Sequence, residues 1–223
     1  MCTEPNNEEP LEWAKFVLRN RREGEYTSAY NILIRLAKDN VADAQYYVGL
    51  MYARGQGVPK DYDAAASWFV RAHEQKHKGA SFFLGKMHAT GVGLSKDSNK
   101  ALSYFEECAD VDARAQYEIG LLYFDDDQIR HDYAKSAEFL GMAASNGHPE
   151  AQFMLGQFYK NGVGVEKNID ECVRWLSAAA YNRHKGAQIL LGNMYRMGDG
   201  VPVDRVESDA WYDMADGKSN PQK

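Results

Sequence analysis

An alanine recurs in the same local sequence five times along the chain, every 35 or 36 residues. The five alanines are Ala44, Ala80, Ala115, Ala151 and Ala187. A fixed period of this length is typical of helical solenoids, in which each repeat buries its apolar face against its neighbours. The period therefore predicts one continuous all-α solenoid for the 223 residues, rather than one or two ordinary globular domains.

Each repeat begins with a helix that contains a glycine five residues after the alanine. These glycines are Gly49, Gly85, Gly120, Gly156 and Gly192. Because glycine inside a helix costs about 1 kcal/mol relative to alanine, its recurrence predicts that a neighbouring helix approaches closely there. The aromatic residue three positions later, such as Tyr52, is expected to pack into the resulting gap. His88 takes that place in the second repeat and is predicted to be a packing variant.

A glycine turn and a second helix complete the repeat. Paired glycines such as Gly55 and Gly57 allow positive φ where the first helix ends. An Asp or Asn then stands where the second helix needs an N-cap. The predicted caps are Asp61, Asp97, Asp132, Asn168 and Asp204. Small and aromatic residues follow at helical spacing, as in Ala65 and Trp68.

The two ends of the chain depart from this pattern. Residues 1–10 are predicted to form a disordered leader, and residues 11–42 a degenerate N-terminal capping repeat. Its helices are expected at Leu11–Arg22, ended by Gly24, and at Tyr26–Lys38. Five full repeats are predicted over residues 43–216, followed by a polar tail at 217–223.

Composition narrows the classes of partner. Apolar residues make up 44% of the chain, which is enough to build a core, and the net charge is −6. An acidic chain without a basic run disfavours nucleic acid and anionic membrane and accommodates a basic protein partner better. The first residues lack the pattern of a signal peptide, and no apolar run approaches a membrane span. With only three cysteines, the chain is expected in a reducing cytoplasm.

Reactive residue types follow the repeat pattern rather than a catalytic one. Cys108 and Cys172 replace small residues and are predicted to be buried. His77, His148 and His184 share one linker position, three residues before the repeat alanine, which argues against a metal role. Metalloprotease, nucleophile-elbow and P-loop motifs are absent from the sequence. We therefore expect no catalytic residue, no metal and no cofactor.

The turn of the third repeat lacks both glycines and contains Asp125, Asp126 and Asp127 instead. Asp126 is expected to take the left-handed conformation at some energetic cost. Three interpretations remain open: a solvated loop, an acidic contact for a basic partner, or a cation site, which a single short loop would serve poorly.

The combined pattern A-x3-L-G-x2-Y-x2-G-x-G-V-x2-D-x3-A-x2-W resembles the Sel1-like repeat, a relative of the tetratricopeptide repeat, over roughly residues 26–216. The resemblance implies a right-handed α-solenoid of helix–turn–helix repeats whose first helices line a concave face. Members of that family mostly serve as adaptors and scaffolds in protein complexes, and some small bacterial members are immunity proteins that block a toxin. The paired cysteines of a branch linked to β-lactam binding are absent here.

Three positions around each mid-helix glycine are expected to face the concave side: the residues three and two before it, and the one after it. They are Tyr46, Tyr47 and Leu50; Phe82, Phe83 and Lys86; Tyr117, Glu118 and Leu121; Phe153, Met154 and Gln157; and Ile189, Leu190 and Asn193. The middle position is usually small and polar in the family but is apolar or aromatic in four repeats here. Such an apolar stripe predicts a binding surface. The alternative is a tighter curvature that buries the stripe.

The sequence thus favours a non-enzymatic interaction protein that holds a partner protein or peptide on its concave face. Aromatic side chains would anchor the partner, and Glu118 with the acidic third turn would steer it. A narrower hypothesis is a bacterial immunity protein that neutralises a toxin, possibly a nuclease, because nucleases present basic clefts. The rival hypothesis is a small-ligand-binding protein or a hydrolytic enzyme acting on β-lactams or cell-wall peptides, which would need a polar constellation in the groove.

Overall fold

The computed structural model describes residues 8–218, which form helices and connecting turns without a β-strand. Twelve α-helices follow one another within these residues. They are α1 (Glu8–Arg19), α2 (Tyr26–Lys38), α3 (Ala42–Arg54), α4 (Tyr62–Glu74), α5 (Lys78–Thr90), α6 (Ser98–Glu106), α7 (Ala113–Asp125), α8 (Tyr133–Ser145), α9 (Pro149–Asn161), α10 (Ile169–Tyr181), α11 (Lys185–Met197) and α12 (Arg205–Ala215). The predicted all-α class of helix–turn–helix repeats is confirmed.

The chain divides into two compact units, the first ending at Cys108 and the second beginning at Ala109. Inside each unit, helices that follow one another along the chain pack together. The core of the first unit is built on buried side chains such as Leu33, Met51, Phe69 and Leu84. That of the second unit is built on buried side chains from every helix, namely Ile119, Leu140, Leu155, Leu176, Leu191 and Trp211.

The N-terminal boundaries differ from the prediction. Helix α1 begins at Glu8 rather than Leu11, so residues 8–10 of the predicted leader are helical, while residues 1–7 lie outside the described part. The helix ends at Arg19, well before Gly24, because Arg21 takes a left-handed conformation with φ of 51°. Gly24 instead lies in a short 3-10 turn. Helix α2 has the predicted bounds. Of the predicted polar tail, only residues 217 and 218 are described.

All five predicted N-caps of the second helices are confirmed. Each side-chain oxygen accepts a hydrogen bond from the backbone N–H three residues later, at 2.9–3.1 Å. Asp61, for example, accepts from Ala64 at 2.9 Å. These bonds satisfy N–H groups that a helix cannot satisfy internally, and a cap of this kind contributes about 1 kcal/mol.

The mid-helix glycines mark the predicted close approach, but a different side chain fills the gap. A Cβ atom on Gly49 would lie 2.7 Å from Phe69 of α4, and one on Gly156 would lie 2.8 Å from Leu176 of α10. The second helix of the same repeat therefore occupies the space. Tyr52, expected there, instead meets Tyr30 edge to face, with their hydroxyls 2.8 Å apart. His88 is confirmed as a packing variant, stacked on Tyr104.

A ladder of amide side chains, which was not predicted, joins successive repeats inside each unit. Four repeats carry a buried glutamine directly after the alanine, and each donates from Nε2 to a carbonyl near the end of the preceding helix. Gln152 donates to Ala144 at 3.0 Å and accepts from Asn182 at 2.9 Å. The ladder could have been predicted from the sequence, because glutamine recurs directly after the repeat alanine in every repeat except the second, which has Ser81.

In the third turn, the backbone conformation of Asp126 differs from the prediction. Its backbone is extended, with φ of −112°, rather than left-handed. The Asp126 carboxylate instead accepts from the backbone N–H groups of Gln128 and Ile129, at 2.9 and 3.2 Å. The side chain therefore ends α7 by local hydrogen bonding, which removes the need for a glycine.

Candidate partner-binding surface

The predicted binding residues of the first unit are buried or partly buried. Leu50 and Phe82 are buried, with 5% and 6% of their surface exposed, so they belong to the core rather than to an open stripe. Phe83 is partly buried and stacks on Phe69 at 5.2 Å between ring centroids. Tyr46, Tyr47 and Lys86 are also partly buried. The prediction of a continuous exposed stripe is therefore wrong for Leu50 and Phe82.

The second unit brings four predicted residues together around a pocket of about 460 Å³: Tyr117, Phe153, Met154 and Gln157. The pocket lies between α7 and α9 and reaches the linker before α11. Phe124, Phe158 and Val163 complete its apolar wall, and Glu150, Asn161 and His184 add polar groups. None of these six was predicted, because each comes from a neighbouring turn, helix end or linker rather than from the trio around the glycine.

The pocket and its rim carry negative charge. Glu150 is the one charged residue among those that line it. Burial first, and then the carboxylates of Glu118 and Glu150, raise the pKa of Tyr117, which places both charges near this ring. Two cations on the same helices are already engaged, since Arg114 pairs with Asp112 and Lys160 with Asp199, both at 2.6 Å. The surroundings of the pocket therefore favour a cationic ligand group.

The shared linker histidines position the aromatic residues of this surface. His77, His148 and His184 are N-caps, and their Nδ1 atoms accept the backbone N–H of the repeat alanine at 3.1–3.3 Å. Each ring also stacks on an aromatic residue of the preceding repeat. The stacked pairs are Tyr46–His77, Tyr117–His148 and Phe153–His184, with centroids 4.3–4.5 Å apart. The cap holds each imidazole in place, and the stack in turn orients the aromatic ring against it.

An Nδ1 atom that accepts a hydrogen bond carries no proton, so these caps require the neutral imidazole. Burial lowers the pKa of His77, against the opposing charge of Asp43. Burial likewise lowers the pKa of His148, although Glu150, Glu118 and Asp112 act in the opposite direction. For both histidines, the folded environment therefore favours the neutral imidazole, which is the form that can cap the helix.

The remaining predicted residues are dispersed. Leu121, Glu118 and Asn193 are partly buried, and Ile189 is 39% exposed. Leu190 packs partly buried against the core around Leu191. In the third turn Asp125 and Asp127 are exposed, whereas Asp126 is partly buried by its local hydrogen bonds. Asp125 directly follows Phe124 of the pocket, so the acidic turn adjoins one end of it.

One cluster in the first unit has the residue types of a catalytic triad without its geometry. The Ser81 hydroxyl donates to Glu107 at 3.0 Å and lies 3.0 Å from Nδ1 of His73. Glu107 lies 3.3 Å from the same Nδ1 atom. In a triad the hydroxyl and the carboxylate engage opposite ring nitrogens, so that a proton can pass through the imidazole. This arrangement offers a hydrogen-bond network rather than a nucleophile with its base.

Other reactive groups are similarly structural. Cys108 and Cys172 are buried as predicted, and burial raises the pKa of the Cys172 thiol to about 11. Within residues 8–218 no three His, Cys, Asp or Glu side chains converge as a metal site would require. In the same range, no helix combines the length and the apolar character that crossing a bilayer demands.

Comparison with solved structures supports the repeat architecture. A Sel1 repeat protein from Oxalobacter formigenes is 25% identical, with a TM-score of 0.82 over 98% of this chain and 87% of its own. A protective antigen of uropathogenic Escherichia coli with an SLR fold is 22% identical, with a TM-score of 0.83 over 95% of this chain. This chain spans only 46% of that antigen. An immunity protein from Pseudomonas aeruginosa is 23% identical, with a TM-score of 0.51 over 78% of this chain and 64% of its own.

No curated protein matches the sequence. The Sel1 repeat family, by contrast, matches it in five consecutive segments, residues 42–77, 79–110, 113–148, 149–184 and 186–215. Sel1 repeat proteins generally mediate protein–protein interaction and are typically non-catalytic. The five segments cover well over half of the chain and coincide with its helix pairs, and this protein therefore belongs to the Sel1 repeat family.

Proposed function

We propose that this protein is a non-enzymatic interaction module that binds a partner protein or peptide through the face built by its first helices. The observation that supports this best is the pocket between α7 and α9, where Tyr117, Phe153 and Met154 meet around an open apolar space. Aromatic and methionine side chains in such a depression are typical anchors of protein interfaces. The pocket is too small for a folded partner, so it serves as the centre of a wider contact.

The same pocket suits catalysis poorly, which is why we place an enzyme second. Its polar groups are Glu150, Gln157, Asn161 and His184. His184 uses Nδ1 to cap α11 at 3.1 Å, so that nitrogen cannot also serve as a general base without opening the helix end. Glu150 is then the one side chain lining the pocket that is left to act as a general base.

The partner we propose has a basic surface, because the chain carries a net charge of −6 and the pocket is rimmed by carboxylates. A bacterial immunity protein that neutralises a toxin, possibly a nuclease, in the cytoplasm is the narrower form of this proposal. The Pseudomonas aeruginosa immunity protein shares the fold at 23% identity, so the narrower form rests mainly on charge complementarity.

The test compares two methionine substitutions in the same unit. Met154→Arg introduces a cation into the pocket. Met142→Arg introduces the same charge outside the pocket, on α8, where Met142 is 41% exposed. Capture of binding proteins from the source cell's lysate should lose one stoichiometric partner with Met154→Arg and keep it with Met142→Arg. Retention of that partner by both variants would place the interface elsewhere.

The immunity form has its own assay. Cells that express the toxin encoded beside this protein should survive when the wild-type chain is co-expressed and should die with Met154→Arg. If the cells survive without this protein, or die although the wild-type chain is present, the immunity role is excluded. The broader role as an interaction protein would be unaffected.

A further inference from the structure

We infer that the pocket of the second unit takes an extended basic segment of the partner, in which one apolar side chain is flanked by a cationic residue two positions before it and another two positions after it. This inference rests on the proposed function and specifies the chemistry of its ligand. It follows from the apolar centre of the pocket, the charge at its two ends and the distance between those ends.

The centre of the pocket is apolar and fits an aliphatic or aromatic side chain. Tyr117 of α7 lines it together with Phe153, Met154 and Phe158 of α9. The rings of Tyr117 and Phe153 are held by their stacks on His148 and His184 at 4.5 and 4.3 Å, so the space is formed before a partner arrives. Preorganised walls reduce the entropy cost of binding.

One end of the pocket carries the carboxylates of Glu118 and Glu150. Glu150 lines the pocket from the first turn of α9, and the charges of Glu118 and Glu150 both act on the phenol of Tyr117 and on the imidazole of His148. Glu150 also lies 3.6 Å from Nδ1 of His148, a ring that must stay neutral to keep its cap. A partner's cation can therefore pair with this carboxylate without competition from a charged histidine.

The other end of the pocket is negative for a different reason. Helix α7 ends there at Asp125, immediately after Phe124 of the pocket wall, and Asp125 is exposed. The carbonyl groups at a helix C-terminus add partial negative charge to that of the side chain. None of the residues that line the pocket is Lys or Arg. A second cation is therefore favoured at this end.

The distance between the two ends selects the spacing in the ligand. Glu118 and Asp125 are seven residues apart on one helix, which corresponds to about 10 Å along its axis. In an extended segment, alternate side chains point the same way, and residues four apart are separated by about 13 Å. The flexible stems of Arg and Lys accommodate the difference, and the apolar residue midway then faces the pocket centre.

The experiment uses the full chain with ¹³C-methyl-labelled methionine and defined peptide probes. The first probe is acetyl-Gly-Arg-Gly-Leu-Gly-Arg-Gly-amide, and the second replaces both arginines with citrulline, which keeps their shape and removes the charge. We expect the arginine peptide to shift the methyl signal of Met154 and leave that of Met142 unchanged. The citrulline peptide should bind at least about five-fold more weakly, and the arginine peptide should weaken as salt rises from about 20 to about 200 mM.

Substitutions of single acidic residues test which carboxylates contact the arginine peptide. Glu150→Gln and Asp125→Asn should each weaken binding of the arginine peptide about two- to five-fold, as expected for single exposed ion pairs. Glu138→Gln on α8 and Asp209→Asn on α12 remove equivalent exposed charges elsewhere in the unit and should have no effect. A peptide with the contracted order Arg-Leu-Arg should bind more weakly than the spaced one.

Equal binding of the citrulline peptide would overturn the inference, as would a Met154 signal that no probe moves. These failures differ from a failure of the proposed function. If Met154→Arg abolishes capture of the natural partner while the probes fail, the pocket is the interface but its ligand is not basic. If the probes bind but capture survives Met154→Arg, the interface lies elsewhere.

Discussion

The imidazole of His148 stacks on the ring of Tyr117, with centroids 4.5 Å apart and ring planes inclined by 20°. The same imidazole caps α9 through Nδ1, which accepts the backbone N–H of Ala151 at 3.3 Å. One side chain thus caps the beginning of a helix and orients an aromatic residue of the pocket between α7 and α9. His77 and His184 repeat this double role on Tyr46 and Phe153.

Removing the cap and the stack together should destabilise the protein. His148→Ala loses a cap worth about 1 kcal/mol and an aromatic contact worth about 0.5–1.5 kcal/mol, so we expect the free energy of unfolding to fall by about 1.5–2.5 kcal/mol. Urea denaturation measures the change. His131→Ala removes an exposed histidine from the same unit and should cost under about 0.5 kcal/mol. Equal effects of the two substitutions would contradict the double role.

Stability should decrease as the pH falls below about 6.5, the ordinary pKa of histidine. Burial lowers the pKa of His77 and His148 in the folded state, so the unfolded chain takes up protons at a higher pH than the folded chain does. The stabilisation is therefore complete above about 6.5 and is lost progressively below that value.

The pH effect can be assigned with a double variant. His77→Asn with His148→Asn keeps an N-cap acceptor that does not titrate. Its unfolding free energy should change less than that of the wild type between about pH 7.5 and pH 5.5, a range above the titration of most carboxylates. If both proteins show the same slope in denaturation experiments, the histidine caps do not cause it.

Breaking the amide ladder should be costly at a buried position. Gln152→Ala removes two hydrogen bonds, one to the carbonyl of Ala144, which keeps the backbone N–H of Gly147 at 3.0 Å, and one from the amide of Asn182. We therefore expect a loss of about 1–3 kcal/mol in the free energy of unfolding. Gln157→Ala on the same helix lies at the pocket and should change stability by less than about 0.5 kcal/mol. A small effect at Gln152 would show that water replaces the ladder.

Two glycines in helix interiors should respond to alanine in opposite directions. The new Cβ of Gly156→Ala would lie 2.8 Å from Leu176, so overpacking of about 1–3 kcal/mol should outweigh the gain in helix propensity. The nearest atom to a Cβ on Gly141 is 4.0 Å away, so Gly141→Ala should stabilise α8 by up to about 1 kcal/mol. Thermal unfolding of both variants should give shifts of opposite sign.

Much of the fold could be predicted because its signals are local. The Asp and Asn caps of the second helices depend on a side chain and an N–H group three residues away. The spacing around the mid-helix glycine placed Tyr117, Phe153 and Met154 on one face, and these three residues line one pocket. It failed for Leu50 and Phe82, because their burial depends on side chains from other helices.

The repeat spacing, the N-caps of the second helices and the face on which each side chain lies were determined by the sequence itself, since helical periodicity and capping act over three to five residues. Tertiary structure decided which of those faces stay open. Phe82 is buried through contact with Phe105 of the next helix, whereas Phe153 remains beside an open pocket and is held there by His184. Exposure depends on residues distant in the chain, and periodicity along a helix carries no information about them.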